Sequence, residues 1–321
     1  MGGLSVAVVG ELNLDIILYG LPKELELERE YLANRLGFTL GSSSAIFAHN
    51  LSVLGTKVGF VSKIGSDPLG RLALQRLADS GVETERVVRA TGSTTGLTVI
   101  LPHLRQRYIL TYPGTMFEMQ YGDIDLDYVC SARHFHLSSF FLHRALRPQI
   151  VDLFRKAKSA GLTTSLDTND DPEDKWSSDV LEVLKHTDIF FPNDREAKKL
   201  ARTPDLSQAI NTLAGITKIV VVKRGPAAAI CRKGDEQWSL APPSVNVVDQ
   251  VGAGDSFNAG FIHQYLQGAS PEECLAYANL AGAYSTTREG GTEAFRDRAN
   301  VTNFFREHAL PRSQGAGAGF S

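Results

Sequence analysis

The chain passes from an apolar run through a glycine-rich turn into a helical pattern at Val245-Asn246-Val247-Val248-Asp249-Gln250-Val251-Gly252-Ala253-Gly254-Asp255-Ser256-Phe257-Asn258-Ala259-Gly260. The run Val245–Val248 predicts a strand, and the segment Gly254–Gln267 has the apolar spacing of a helix. Gly252 and Gly254 allow backbone N–H groups to point into one concavity, and a helix N-terminus adds a partial positive charge. The stretch therefore predicts an anion site where a strand meets a helix.

Asp255 adds a carboxylate to the start of this helix. Such a group can accept the proton of an attacking hydroxyl, so a base would lie beside an anion site, as phosphoryl transfer requires. Alternatively, Gly252 and Gly254 only shape a turn and Asp255 is a helix cap. The chain has no GxxxxGK(S/T) phosphate loop and no GxGxxG at a strand–helix junction, which argues against a nicotinamide enzyme.

Short β-branched and aliphatic runs alternate with longer segments of helical spacing along the chain. This alternation predicts an α/β fold with a mostly parallel sheet flanked by helices. The predicted strands are Val6–Val9, Lys57–Val61, His134–Leu137, Thr163–Leu166, Asp188–Phe191 and Ile219–Val222. The predicted helices are Ser44–Leu54, Leu69–Ser80, Pro148–Ala160, Asp194–Ala201, Gly254–Gln267 and Pro271–Thr287.

Three segments interrupt this alternation: Leu14–Leu21, Thr95–Pro102 and Tyr108–Tyr112. Because β-branched and aromatic residues dominate them, they predict a small antiparallel sheet, which we interpret as a lid. An edge extension of the main sheet is the alternative. The expected organisation is one domain over residues 1–312, with lid strands from about 12–36 and 92–114, and a disordered Gly-rich tail over residues 313–321.

The composition excludes several classes of function. With 33 basic against 36 acidic residues, the chain has no electrostatic reason to bind nucleic acid. No apolar run reaches the roughly 20 residues that span a bilayer, so no membrane association is expected. The N-terminus has no basic region before its first strand pattern, and the three cysteines lack metal-ligand spacing. These features predict a cytoplasmic protein.

The glycine-rich turn resembles the C-terminal signature of the ribokinase-like (PfkB) carbohydrate kinases, usually Asp-Thr-x-Gly-Ala-Gly-Asp. Other stretches are similar to further motifs of that family, in the same order along the chain. They are Gly41-Ser42-Ser43-Ser44-Ala45-Ile46-Phe47-Ala48, Gly65-Ser66-Asp67-Pro68-Leu69-Gly70, Pro192-Asn193-Asp194-Arg195-Glu196 and Lys223-Arg224-Gly225.

The resemblance implies a Rossmann-like (ribokinase-like) domain with a β-sheet lid over the sugar, ATP as phosphate donor and Mg²⁺ as the metal. It implies Asp255 as the general base, with an anion hole formed by Gly252, Ala253 and Gly254. The implied substrate contacts are Asn13, Asp15, Gly41, Ser42, Ser43 and Asn169. The implied nucleotide contacts are Asn193, Glu196, Lys223, Gly225 and Asn279.

The resemblance further implies that Glu196 serves Mg²⁺ through water, and that a monovalent cation such as K⁺ binds beside Asp249. Read from the residues alone, Asn193 is a helix cap, Glu196 a solvated helix position, and Asn13 with Asp15 a turn. Asn169 similarly belongs to a solvated loop after a strand. Gly41 is expected to let the sugar approach the backbone closely.

The acceptor is expected to be a small neutral sugar. Ser42 and Ile46 replace the second glycine and the asparagine of the family's first signature, which leaves the substrate open. The lid lacks the arginine that acid-sugar kinases place after their tyrosines, and Arg107 is the cation that could meet a phosphorylated sugar. The alternatives are a nucleoside kinase and a catalytically silent binding relative. The resemblance also allows a homodimer through the lid.

Overall fold

We describe residues 3–103 and 106–308 of a computed structural model. The strands are β1 Val6–Val9, β2 Leu14–Tyr19, β3 Arg35–Leu40, β4 Val58–Gly65, β5 Glu83–Ala90, β6 Leu97–His103, β7 Gln106–Tyr112, β8 His134–Leu137, β9 Thr163–Leu166, β10 Ile189–Phe190, β11 Ile219–Val222, β12 Ala229–Lys233 and β13 Glu236–Leu240. The helices are α1 Ser43–Val53, α2 Pro68–Asp79, α3 Leu126–Cys130, α4 Ile150–Ser159, α5 Asp179–Leu184, α6 Asp194–Leu200, α7 Leu206–Ala214, α8 Ala253–Tyr265, α9 Pro271–Ser285 and α10 Arg298–His308.

The main sheet has the strand order β13-β12-β11-β10-β9-β8-β1-β4-β5. Every neighbouring pair from β11 to β5 is parallel, and only β12 and β13 at one edge are antiparallel. The predicted mostly parallel sheet is therefore confirmed. Strands β5, β12 and β13 were not predicted, because charged and polar residues interrupt the apolar runs that mark the fully buried strands.

Helices cover both faces of this sheet, as the alternation in β1 shows. Val6 and Val8 pack into a core shared with α1, α8 and α9, whereas Ala7 and Val9 pack into a second core with α4 and α5. Successive side chains of a strand point to opposite faces of the sheet. A strand in which every residue is apolar therefore needs helices on both faces.

The segment Val245–Val248 does not form the predicted strand. The backbone N–H of Val248 donates instead to the carbonyl of Thr286, at the end of α9, over 2.7 Å. Val247 and Val248 are about half exposed, at 52% and 49%. β-branched residues favour extended backbone, but a strand also needs a neighbouring ladder, and here a helix end takes its place.

The lid is a separate sheet with the order β3-β2-β6-β7, so the interpretation as an edge extension of the main sheet is wrong. It is also not fully antiparallel, because β2 and β6 run parallel while β2/β3 and β6/β7 are antiparallel. The pairs β2/β3 and β6/β7 come from distant parts of the chain. They join through their first strands, β2 and β6, which run in the same direction. The first hairpin extends to Leu40, beyond the predicted boundary at residue 36.

The predicted disordered tail, residues 313–321, lies outside the described residues. Among the described helices, none combines the length and apolar character that crossing a bilayer would demand.

Candidate active site

The glycine-rich turn begins helix α8, with Gly252 at the N-cap in a left-handed conformation (φ 72°). A Cβ atom on Gly252 would lie 2.5 Å from Cα of Gly291 and 3.1 Å from Cγ2 of Ile46. Both the backbone conformation and the close packing therefore require glycine. The Ser256 hydroxyl donates to the Gly252 carbonyl over 2.7 Å, which fixes the turn against the first helical residues.

Asp255 is the third residue of α8 and is only 7% exposed. Since Gly252 holds the N-cap position, the interpretation of Asp255 as the helix cap is wrong. Burial, together with the charge of Asp167, raises the pKa of Asp255 to about 7, against the opposing effects of Lys223 and a hydrogen bond with Ser43. A carboxyl group with a pKa near neutrality is suited to accept a proton at physiological pH.

Asp15 and Asn13 lie at the base of the lid and are nearly fully buried. Asp15 is part of β2, which rules out the alternative of a simple turn. Burial raises the pKa of Asp15 to about 7, with Arg107 opposing and Asp249 adding to the shift. Asn13 donates through Nδ2 to Thr98, whereas its Oδ1 has no hydrogen-bond partner among the described residues. This pair offers two acceptors for hydroxyl groups.

Gly41 lies directly against Asp15, and a Cβ atom there would meet Asp15 Oδ1 at 2.1 Å. The need for glycine thus already arises within the protein, before any sugar approaches. The neighbouring Ser42 donates to the carbonyl of Glu11 over 2.7 Å. Asn169 donates through Nδ2 to the Ser43 hydroxyl over 2.9 Å, so its amide is bonded to the start of α1 instead of being free in a solvated loop.

Glu11 was not predicted as a site residue, although it follows β1 at the carboxyl edge of the sheet. Its buried carboxylate accepts hydrogen bonds from Ser44 and Ser139, each at 2.7 Å, and lies 3.4 Å from Nε2 of His143. Burial opposes ionisation, but these partners hold the pKa of Glu11 below its ordinary value. Its negative charge contributes to the raised pKa of Asp255.

Asp167, which follows β9 and was not predicted as a site residue, is completely buried. Its carboxylate forms a short ion pair with Lys223 Nζ and accepts a hydrogen bond of 2.6 Å from Asn258. Burial disfavours the charge of Lys223, but Asp167 and Glu196 raise the pKa of its ammonium group above the ordinary value. The ammonium group lies 3.6 Å from the Cβ position of Gly254, at the glycine-rich turn.

Asn193 is the N-cap of α6 and forms a reciprocal capping box with Glu196. The alternative of a helix cap is therefore correct for Asn193. Glu196 is 5% exposed, so the alternative of a solvated position is wrong. Burial raises the pKa of Glu196 to about 7, with Lys223 opposing the shift.

The carboxylates of Glu196 and Asp167 bear on metal binding. No group of three or more His, Cys, Asp or Glu side chains among residues 3–103 and 106–308 could enclose a metal. Mg²⁺ in phosphate-transfer sites usually keeps several waters and needs only one or two carboxylates besides the phosphates. This donor set fits a Mg²⁺ ion that arrives with a nucleotide.

A cleft of about 510 Å³ opens beside the glycine-rich turn. Asn279 and Gly225 line it, and Asn279 is held by a hydrogen bond of 2.8 Å from its Nδ2 to the Leu240 carbonyl. The remaining wall includes Arg107, Lys223, Pro242, Val245, Val247, Ala253, Gly254 and Phe257. A largely apolar cleft with a glycine-rich helix start and the cations Arg107, Lys223 and Arg224 in its wall suits a nucleotide, with its base in the cleft and its phosphates at the turn.

The Asp249 carboxylate is engaged by the protein itself. It accepts hydrogen bonds from the backbone N–H groups of Val251 and Gly290, at 3.0 and 2.9 Å, and from the Tyr19 hydroxyl at 3.2 Å. Asp249 therefore ties the lid strand β2 to the glycine-rich turn. Any cation beside it would depend mainly on backbone carbonyls.

Comparisons with known proteins agree with this geometry. Residues 4–298 match the family described as pfkB family carbohydrate kinase. An uncharacterized sugar kinase of Archaeoglobus fulgidus is 33% identical over 251 residues, which cover 76% of this chain and 96% of that protein. The ATP-dependent ribose-1-phosphate kinase of Halopiger xanaduensis is 32% identical over 257 residues, which cover 79% of this chain and 82% of that protein. The structure of Arabidopsis thaliana ribokinase complexed with ribose and ATP superposes with a TM-score of 0.81 at 26% identity, over 95% of this chain and 99% of that one.

Proposed function

This chain belongs to the PfkB family of carbohydrate kinases, and from that premise we propose that it transfers the terminal phosphate of ATP to a hydroxyl group of a small neutral sugar. One observation carries the proposal. The buried Asp255 carboxylate lies at the glycine-rich turn, between Gly254, which lines the nucleotide cleft, and Ser43 of α1, with which it shares a hydrogen bond.

In this reaction the sugar hydroxyl attacks the terminal phosphorus of ATP, the bond to the bridging oxygen breaks, and ADP leaves. Ionised Asp255 accepts the proton of the hydroxyl, for which its pKa of about 7 is suited. The backbone N–H groups at Gly252, Ala253 and Gly254 would meet the charge that develops on the phosphoryl oxygens, for which Ala253 must give up its long hydrogen bond of 3.3 Å to the Gln250 carbonyl. Lys223, held in place by Asp167, adds a fixed positive charge beside the turn.

Glu196 and Asp167 are the carboxylates that would hold Mg²⁺, mostly through water. When bound with the nucleotide, Mg²⁺ neutralises charge on the phosphates. Neighbouring residues hold the two carboxylates in position. Asn193 orients Glu196 through the capping box, and Lys223 with Asn258 orients Asp167.

The sugar would bind between the base of the lid and helix α1. Asp15 and the unpaired Oδ1 of Asn13 are acceptors for adjacent hydroxyl groups, which are what a neutral sugar offers. Asn169 and Ser43 complete the polar wall near Asp255. A hydroxyl bound at Asp15 would also favour the ionised form of that carboxylate.

A phosphorylated ribose is the second candidate acceptor, because a relative at 32% identity is named as an ATP-dependent ribose-1-phosphate kinase. In this chain, Arg107 supports the candidate. It lines the nucleotide cleft, and its charge acts on the pKa of Asp15, so it could serve an anion between the two sites. Kinetics of Arg107→Gln separate the candidates, since only a phosphorylated acceptor should show a large rise in KM.

The lid offers a surface for a second copy of the chain. Its edge strand β7 exposes Tyr108, Ile109, Leu110 and Tyr112, each between 52% and 57%. A long apolar edge strand is a ready site for pairing. We therefore propose a homodimer through the lid, which sedimentation can test.

We also propose that K⁺ binds beside Asp249, which can be tested by exchanging K⁺ for Na⁺ in the assay.

The decisive experiment is an ADP-release screen with Mg²⁺ and ATP over neutral sugars, sugar acids, phosphosugars and nucleosides. It is run on the wild type, on Asp255→Asn and on Asp152→Asn, a matched change on the exposed face of α4. We expect one acceptor class to give turnover, a loss of roughly 10²–10⁴-fold in Asp255→Asn, and none in Asp152→Asn.

Full activity of folded Asp255→Asn would remove Asp255 from the role of base. Thermal stabilisation by a sugar or nucleoside without any ADP release would instead indicate a catalytically silent binding relative.

A further inference from the structure

A second pocket, of about 210 Å³, lies between helices α1 and α2 and the turn Glu293–Arg296 that precedes α10. It shares no lining residue with the nucleotide cleft. We call it the arginine pocket. Its lining consists of His49, Val53, Arg76, Asp79, Ser80, Thr292, Glu293, Phe295, Arg296 and Arg298.

The arginine pocket has a net positive charge. Arg76, Arg296 and Arg298 contribute three cations, and Asp79 and Glu293 contribute two carboxylates. Glu293 forms an ion pair with Arg296 at 3.1 Å, and Asp79 accepts a hydrogen bond of 2.7 Å from Gln75. The guanidinium groups of Arg76 and Arg298 therefore face the pocket without a carboxylate partner among the described residues.

Backbone carbonyls hold these two guanidinium groups in position. Arg76 donates to the Phe38 carbonyl over 2.6 Å, and Arg298 donates to the Ser80 carbonyl over 2.9 Å. Each guanidinium has five N–H donors, so most of its donors remain available. A pre-oriented guanidinium pair matches the geometry of a phosphate group, which arginine can bind in a bidentate manner.

His49 adds a buried polar group to the pocket lining and is only 5% exposed. Its Nδ1 donates to Asn50 Oδ1 at 2.8 Å, and burial lowers the pKa of the ring to about 4, so His49 is neutral and its Nε2 is an acceptor. Such an atom can take a hydrogen bond from a protonated phosphate oxygen.

The walls of the arginine pocket are bonded to both halves of the catalytic site. Glu293 accepts a hydrogen bond of 3.0 Å from Thr39, which pairs with Asp15 across the lid strands. Asn50, the partner of His49, donates to Ser256 beside the general base at 2.9 Å. A ligand that drew Arg296 away from Glu293 would therefore act on the base of the lid.

We propose that the arginine pocket is a second binding site, separate from the catalytic cleft, for the phosphate group of a small molecule. Inorganic phosphate and a small sugar phosphate share this group. The volume admits either one, and Arg76, Arg296 and Arg298 supply the charge and the donors.

The test is a calorimetric titration with inorganic phosphate, and separately with glucose 6-phosphate, in the absence of nucleotide. Four proteins are compared: the wild type, Arg76→Gln/Arg298→Gln, Arg107→Gln, and the charge-matched control Arg71→Gln/Arg155→Gln on exposed positions of α2 and α4. We expect the pocket variant to lose roughly 10- to 100-fold in affinity, whereas Arg107→Gln and the control keep it. A stronger response to one compound identifies the source of the phosphate group.

Hydrogen exchange then locates the ligand independently of activity. Phosphate should protect peptides that contain residues 46–53 and 290–298 in the wild type but not in the pocket variant. The proposal is overturned if the pocket variant binds phosphate as tightly as the wild type, or if only Arg107→Gln loses affinity. It is also overturned if the wild type shows no binding up to about 10 mM phosphate.

Discussion

The carboxylate of Asp15 occupies the space that a side chain at position 41 would need, since a Cβ atom on Gly41 would lie 2.1 Å from Asp15 Oδ1. The two residues come from different segments, and Gly41 follows the strand β3 that pairs with the strand of Asp15. The position of the proposed sugar-binding carboxylate thus depends on a missing side chain.

Gly41→Ala should therefore weaken acceptor binding. The added methyl group must displace the Asp15 carboxylate, so we expect KM for the acceptor to rise roughly 10- to 100-fold, with little change in KM for ATP. Gly122→Ala is the control, because a Cβ atom there meets nothing within 4 Å. An unchanged acceptor KM in Gly41→Ala would show that Asp15 does not contact the sugar.

The rate should depend on pH around neutrality. Asp255 has a pKa raised to about 7 by burial, and only its ionised form accepts a proton. We therefore expect kcat/KM to fall tenfold per pH unit below about pH 7, and twice as steeply if Asp15 must also be ionised. Profiles of the wild type and Asp15→Asn check this. A rate that stays constant down to about pH 5 would contradict the assignment.

Asp255 should also reduce stability at high pH. Its folded pKa of about 7 lies above the ordinary 3.8, so its contribution favours folding below pH 3.8 and is lost as the pH rises through 7. Asparagine resembles the protonated form at every pH. We expect Asp255→Asn to raise Tm by roughly 2–8 °C at pH 8. This increase in Tm should shrink towards pH 4. An equal increase at pH 4 and at pH 8 would exclude titration of Asp255 as its cause.

Asn193 should have a double role that an ordinary helix cap lacks. Asn193→Ala removes the cap of α6 and should cost about 0.5–2 kcal/mol of unfolding free energy. It also removes the side-chain amide that donates to Glu196 Oε1, leaving only the backbone N–H to hold Oε2, so the Mg²⁺ concentration for half-maximal activity should change several-fold.

The matched control is Asp205→Ala, which removes the N-cap of the neighbouring helix α7. Denaturant unfolding should show a similar loss of stability in both variants. A Mg²⁺ requirement that shifts equally in both, or in neither, would mean that Glu196 does not serve the metal.

Local sequence determined much of the architecture. Apolar runs buried on both faces, such as Val6–Val9 and Ile219–Val222, can only belong to a covered sheet, and they were predicted with their exact bounds. The turn at Gly252 was recognisable too, because its left-handed backbone conformation favours glycine, which is visible in the sequence. Edge strands such as Glu236–Leu240 escaped prediction, since exposed strands lack this apolar signal.

Tertiary structure alone decided the electrostatics of the site. Glu11 and Ser139 are 128 residues apart, and Asp167 and Lys223 are 56 residues apart, yet each pair is in contact. A carboxylate has the same sequence signature whether it is solvated or buried. Its pKa depends on burial and on the charges that folding brings near it, and the raised pKa of Asp255 is a property of that assembled environment.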